Sequence, residues 1–237
     1  NAYTGPKYDI ENTLNLLKKY RINFRPYCKK IIAREISAGK VIGRCSGRSE
    51  YGPRALGNRS ILADPRSIKM RDYLNKHVKH REMFRPFAPV ILEKESLNYF
   101  DIAKSPFMLQ VAKVKKFQKI PSASHIDGTA RVQTINKNQN KILYELIEEY
   151  KKITGVPCLL NTSFNDAGEP IVETHLDSLI SFMSTKIDIL ILENIMIEKK
   201  QIKNLNKILK RLKILRKKNL IKKEKKAKKI LFKKISI

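Results

Sequence analysis

Two segments constrain the fold more tightly than anything else in the chain. In "NKILYELIEEYKKITGVPCLLN" (140–161), Ile142, Leu143, Leu146, Ile147 and Tyr150 recur at helical spacing, Gly155 stops the helix, and an apolar run of strand length follows. "YCKKIIAREISAGKVIGRC" (27–45) repeats that order: Ile31, Ile32, Glu35 and Ile36 at helical spacing, Gly39 as the stop, "KVIGRC" as the strand. Both strands run directly into polar, glycine-containing loops, a common place for ligand loops in α/β folds. The expected class is an α/β (α+β) domain with a mixed sheet.

The remaining elements fit that class. Residues 1–27 form a polar, aromatic lead-in around a short helix near Glu11 to Tyr20. "SILADPR" reads as a strand with Asp64 as N-cap and Pro65 at the first position of a helix carrying Ile68, Met70, Tyr73, Leu74 and His77. Prolines then break that helix ahead of a strand around Phe87 to Leu92. "FMLQVAKV" (107–114) and "RVQTI" alternate as strands do. Thr174 with Asp177 three residues on marks a helix start, and "KIDILILEN" and "IMIEK" close the globular part, residues 28–199, as strands.

The net charge of +28 is unevenly spread. From Lys199 onward there are 18 basic residues and one acidic residue, Glu224. In this tail, residues 200–237, Ile202, Leu205, Leu209 and Leu212 keep helical spacing, and the periodicity decays beyond Lys217. It reads as a basic amphipathic helix that frays into a disordered end. An anionic partner for it, nucleic acid or a membrane surface, is one reading; lysine enrichment of a solvated segment is the other. Cys28, Cys45 and Cys158 lie too far apart for a disulfide framework or a metal site, which fits a reducing cytoplasm. No apolar run is long enough to span a membrane, and no secretory leader opens the chain. The first residue is not Met, so a fragment or split subunit is expected.

Chemistry concentrates in four polar clusters at element ends: "GRSEYGPRALGNRS" (47–60), "KHREMFR" (79–85), "SHIDGTARVQ" (124–133) and "LLNTSFN" (159–165). Arg48, Arg54, Arg59, Lys79, Arg81, Arg85 and Arg131 supply positive charge, and Asn161, Ser163 and Asn165 supply neutral hydrogen-bonding groups. Glu50, Glu82 and Asp127 are the acidic residues that offset them. Such a set suits a polyanion, a nucleoside triphosphate or an acyl phosphate, held by charge-assisted bonds. His125 is expected to position a ligand or act directly as acid or base, whereas His77 and His80 read as helix-surface residues. Cys158, inside "VPCLL", reads as an inert buried thiol. The P-loop, dinucleotide, zinc-protease and hydrolase motifs are all absent from the sequence.

"GRSEYGPRALGNRSILADPR", "VKHREMFRPFAP", "HIDGTARVQ" and "TGVPCLLNTSFNDAGEPIV" together resemble the C-terminal domain of the NodU/CmcH-type O-carbamoyltransferases, from about Gly5 to Ile197. The resemblance implies a YrdC-like fold, a twisted mixed open sheet with flanking helices around a positively charged cleft. It further implies that carbamoyl phosphate is activated with ATP to carbamoyl-adenylate and pyrophosphate. A separate N-terminal domain carrying an iron site would then transfer the carbamoyl group to a substrate hydroxyl. Residues 1–8, "NAYTGPKY", resemble the end of that domain.

By the same resemblance, the Lys-x-Arg pair around the nucleotide phosphates falls on Lys79 and Arg81, and the Ser-x-Asn pair on Ser163 and Asn165. Arg54, Arg59 and Arg131 are candidates for the acyl phosphate, with Arg48, Arg85, His125 and Asn161 as further substrate-binding residues. Mg²⁺ is expected to accompany ATP by general nucleotide chemistry rather than through a visible ligand set. Two features depart from the family pattern: "GRCSGRSEYGP" is more polar before the loop, and the lysine tail lies outside it. The alternatives are a threonylcarbamoyl-adenylate synthase acting in tRNA modification, and a non-enzymatic nucleic-acid-binding protein working through the tail.

Overall fold

Apolar runs flanked by helices build one long mixed sheet. The computed structural model describes the backbone of residues 2–235 and the side chains of residues 2–225. In chain order the elements are α1 (Glu11–Lys19), β1 (Arg25–Pro26), α2 (Lys29–Ser37), β2 (Ile42–Cys45), β3 (Arg59–Ala63), α3 (Ile68–His77), β4 (Ala88–Leu92) and α4 (Ser96–Tyr99). There follow β5 (Val111–Lys113), β6 (Thr129–Arg131), β7 (Gln133–Ile135), α5 (Lys141–Thr154), β8 (Cys158–Ser163), α6 (His175–Ser184), β9 (Ile189–Leu192), β10 (Ile195–Glu198) and α7 (Leu205–Ile235).

Eight strands form the main sheet in the order β1-β10-β9-β2-β3-β8-β4-β7, and β5 and β6 make a separate two-stranded ribbon. β2 runs parallel to β9 and β4 parallel to β7, and the other pairs are antiparallel. The fold is therefore mixed α/β with flanking helices, as the pattern of apolar runs implies. β2, β3, β7 and β9 are buried along their whole length, which is why their sequences lack polar alternation.

The helices seal this sheet. α2 lies beside α5, and Lys29 at the start of α2 pairs with Glu145 near the start of α5 at 3.0 Å, so their N-terminal ends stand together. Leu143, Leu146, Ile147 and Tyr150 bury one face of α5, and Gly155 closes it at φ +74°, the left-handed conformation that a residue without Cβ adopts freely. Ile142, on the same side by spacing, stays exposed in the first turn. Thr174 and Asp177 form a reciprocal capping box at the start of α6.

Three elements differ from expectation. α3 begins at Ile68 with Ser67 in the cap position, because the Asp64 carboxylate is occupied elsewhere: it accepts from the Arg66 N–H and guanidinium and from the Tyr150 hydroxyl at 2.8 Å. The strand expected over 107–114 shrinks to Val111–Lys113, since Met108 takes a positive φ of 59° that interrupts extended backbone. The tail stays helical past Lys217 to Ile235, sustained by residues of good helix propensity. Its first turns are core, not appendage: Ile202, Ile208 and Leu212 are buried, and α7 packs along α6.

Candidate active site

The polar clusters meet where β8 ends, β4 begins and the loop after α3 turns back. Asn75, fully buried, organises that loop: its side-chain amide donates to the carbonyls of Met83 (3.1 Å) and Arg85 (2.9 Å), and its Oδ1 accepts from Arg81 Nε at 2.8 Å. Arg81 also donates to the Pro86 carbonyl and lies over the Phe87 ring, 4.6 Å from its centroid. Burial, then the neighbouring Arg85 charge, lowers its pKa to about 10.

Lys79 is 4% exposed and donates to four oxygens: the carbonyls of Ser163 (2.9 Å) and Asn165 (2.7 Å), Ser163 Oγ (3.3 Å) and Asn165 Oδ1 (2.6 Å). The Ser163 hydroxyl donates to the same Asn165 Oδ1, while Asn165 Nδ2 donates to the Glu169 carbonyl. Three of the four expected central residues thus form one connected network. Burial, followed by the Arg81 charge, pulls the Lys79 ammonium down to about 7.

A cleft of about 320 Å³ opens beside this network, with Arg54, Arg81, Arg85, His125, Arg131, Asn161 and Ser163 in its wall. Among the described residues no carboxylate lines it. The side chains of Arg54 and Arg131 have no hydrogen-bond or ion-pair partner among the described residues, whereas Arg85 is paired with Glu82 at 2.9 Å. Burial and the Arg131 charge lower the pKa of Arg54, as expected of two guanidinium groups sharing one space. His125 Nδ1 lies 3.1 Å from Thr129 Oγ1, and burial is the main reason its pKa is lowered, which favours the neutral ring. Asn161 donates to the Ala55 carbonyl and to Gln133 Oε1, but its own buried Oδ1 has no partner.

Of the expected residues, Lys79 and Asn165 stand in the network beside the cleft rather than in its wall, and Arg59 and Arg48 are not brought to it. Arg59 is 1% exposed, and its guanidinium donates to the backbone carbonyls of Ser46, Gly47, Asn58 and Glu173. It welds the glycine-rich loop from beneath. Arg48 is held by the Thr4 and Gly5 carbonyls and ties down the lead-in segment. Glu50 likewise leaves the charge balance of the site, since one of its oxygens accepts the N–H groups of Leu56, Asn58 and Arg59.

Sequence reasoning missed Asn75 and Gln133. Asn75 carries no signal in the polar helix α3 and Gln133 only opens a short strand, yet both positions prove fully or almost fully buried. Cys158 is buried, and burial pushes its thiol far up, which keeps it unreactive. Among the described residues no three histidine, cysteine or carboxylate side chains stand together as a metal cage, and no helix is long and apolar enough to cross a membrane.

Comparison with known proteins gives the ancestry. The chain is 46% identical over 171 residues to nodulation protein NolNO of Sinorhizobium fredii, covering 70% of this chain and 25% of that protein. It is 44% identical over 168 residues to nodulation protein NolO of Bradyrhizobium diazoefficiens, covering 68% and 31%. The chain thus spans about a quarter to a third of the length of these curated relatives. Among solved structures, full-length HypF in its phosphate- and nucleotide-bound form aligns with a TM-score of 0.49 at 17% identity, over 76% of this chain and 23% of that one. Residues 33–199, which carry every strand of the main sheet but β1 together with the buried network and the arginine cleft, match the family described as carbamoyltransferase C-terminus, and the chain belongs to that family.

Proposed function

We propose that this chain activates a carbamoyl group with ATP, as part of an O-carbamoyltransferase whose acceptor-binding part lies outside these residues. The observation that carries the reading is the carboxylate-free cleft, where Arg54 and Arg131 face the ligand space without partners. Two anions must meet there. Water splits carbamoyl phosphate to carbamate and phosphate, and a carbamate oxygen then attacks the α-phosphorus of ATP, breaking its bond to the bridging oxygen and releasing pyrophosphate. Fixed guanidinium groups lower the repulsion between these anions and stabilise the departing pyrophosphate.

Arg54 and Arg131 would hold phosphoryl oxygens, with Arg81 and Arg85 across the cleft. The unpartnered Asn161 Oδ1 matches the –NH₂ of a carbamoyl group, and the neutral His125 ring offers an uncharged contact. Lys79 acts by holding Ser163 and Asn165 at the rim. The wall contains no carboxylate fit to hold Mg²⁺, so the ion would arrive on the triphosphate rather than on a protein site.

The test is carbamoyl-phosphate-dependent exchange of labelled pyrophosphate into ATP. Exchange that Lys79→Ala and Asn165→Ala abolish supports the reading, and a folded chain that exchanges nothing refutes it. Dependence on threonine plus bicarbonate would instead mark a threonylcarbamoyl-adenylate synthase.

A further inference from the structure

A second cavity, about 1290 Å³, lies between the lead-in segment, β2 and the start of α5. One hydrogen bond links its wall to that of the arginine cleft: Gln133 lines the cavity, Asn161 lines the cleft, and Asn161 Nδ2 donates to Gln133 Oε1 at 2.7 Å.

Arg44 lines this cavity at 2% exposure. Its guanidinium donates to the Gly57 carbonyl and to Asn58 Oδ1, both neutral, and its Nε–H has no acceptor. No carboxylate lies within ion-pairing distance of it among the described residues. Glu50 and Glu193 act on its charge only from beyond contact distance, and a guanidinium taken out of water with no carboxylate in contact is costly, a cost that an oxyanion relieves with charge-assisted bonds.

The Tyr27 hydroxyl, also in the wall, is sealed from solvent and without a partner. Burial raises its pKa to about 12, so it keeps its proton and can donate. Asn140 and Lys141 open the 14-residue helix α5 at the same wall, adding the positive end of the helix to the ammonium groups of Lys104 and Lys141. The acidic side chains of the wall are already engaged: Glu193 accepts the Gly47 N–H and faces His175, and Asp9 accepts the Glu11 N–H. Arg44 and Ser46, in and just after β2, bring the polar segment "GRCSGRS" to this wall.

We propose that this cavity is a second anion site, in which Arg44, Tyr27 and the start of α5 bind the phosphoryl or carboxylate group of a small polar molecule. The site is independent of carbamoyl activation in the cleft, and its test keeps the two apart. The full chain carrying Arg81→Ala and Arg131→Ala, which weakens the cleft, is titrated separately with inorganic phosphate and with citrate. Binding is followed by calorimetry and by the Nε–H resonance of Arg44.

Saturable binding of either anion that shifts this resonance, and that Arg44→Gln weakens at least tenfold, supports the site. Phosphate alone assigns a phosphoryl ligand, and citrate alone a carboxylate. Should Arg44→Gln fail to fold, Tyr27→Phe and the exposed pair Lys104→Gln/Lys141→Gln carry the test, each expected to weaken binding severalfold. Loss of all anion binding in the cleft variant overturns the proposal, and so does binding that none of these substitutions changes.

Discussion

The Lys79 ammonium stands 2.6 Å from Asn165 Oδ1, joining the loop after α3 to the end of β8 across 86 residues of sequence. The same nitrogen holds both backbone carbonyls of that turn, so one buried cation fixes the rim of the cleft.

That placement has a pH signature. Lys79 titrates near 7 in the folded chain against 10.5 for an ordinary lysine, so between these values the unfolded chain binds more protons. Stability from this group therefore rises with pH across that window, by up to about 1.4 kcal/mol per pH unit. Urea unfolding of wild type and Lys79→Met at pH 7 and 8.5 checks it: the wild type should gain on the variant by roughly 2 kcal/mol between the two pH values. A constant difference would place the lysine pKa elsewhere.

Arg54 and Arg131 are expected to serve ligands rather than the fold. Arg54→Ala and Arg131→Ala should each raise the KM for the anionic substrates of pyrophosphate exchange about tenfold or more, at about 1.5–3 kcal/mol per charge-assisted bond. Melting temperatures should stay within a degree or two of wild type. A large fall in Tm with unchanged KM would reverse the assignment.

Arg59 should behave in the opposite way. Its planar fork satisfies carbonyls of four residues in the interior, and a lysine cannot reproduce that geometry. Arg59→Lys is expected to destabilise the chain by at least about 2 kcal/mol, and Arg59→Ala by more, because buried acceptors lose their donors. Chemical denaturation measures both.

In the same loop Gly57 has φ +119°, and an added Cβ would lie 2.4 Å from Leu143 Cδ2. Gly57→Ala combines backbone strain of about 1–3 kcal/mol with displacement of a core leucine. It should lower Tm clearly, whereas Gly52→Ala, at φ +104° with open space around it, should cost less. Equal losses would mean that strain alone decides.

The basic tail divides functionally at its buried face. Truncation after Lys217 should leave the unfolding midpoint unchanged. Truncation after Ile202 uncovers α6 and removes Ile208 and Leu212 from the core, at about 1.5–3 kcal/mol for each side chain. Any salt-sensitive RNA binding should go with the distal part alone, which a filter-binding titration of the two truncations separates.

The helices α2 and α5 and the strands after them were legible in the sequence because periodicity and a terminal glycine are local properties. The start of α3 was not, since the expected cap, Asp64, is claimed by Tyr150 from 86 residues away. The packing of the tail's first turns was hidden for the same kind of reason. Spacing marks Leu205, Leu209 and Leu212 as one helical stripe, and only the presence of α6 beneath it makes the stripe part of the core.

Among the cationic residues the division is plainest. Residue chemistry and spacing by themselves determined that arginines, glycines and amides gather in loops following apolar strands, and that an anion is the natural ligand. Only the tertiary structure decided which charges face that ligand. Arg54 and Arg59 stand five residues apart in one loop, yet Arg59 begins a buried strand and spends its donors on backbone carbonyls, while Arg54 remains exposed at the cleft. Burial and partnership depend on neighbours brought in from distant parts of the chain, and no local pattern encodes them.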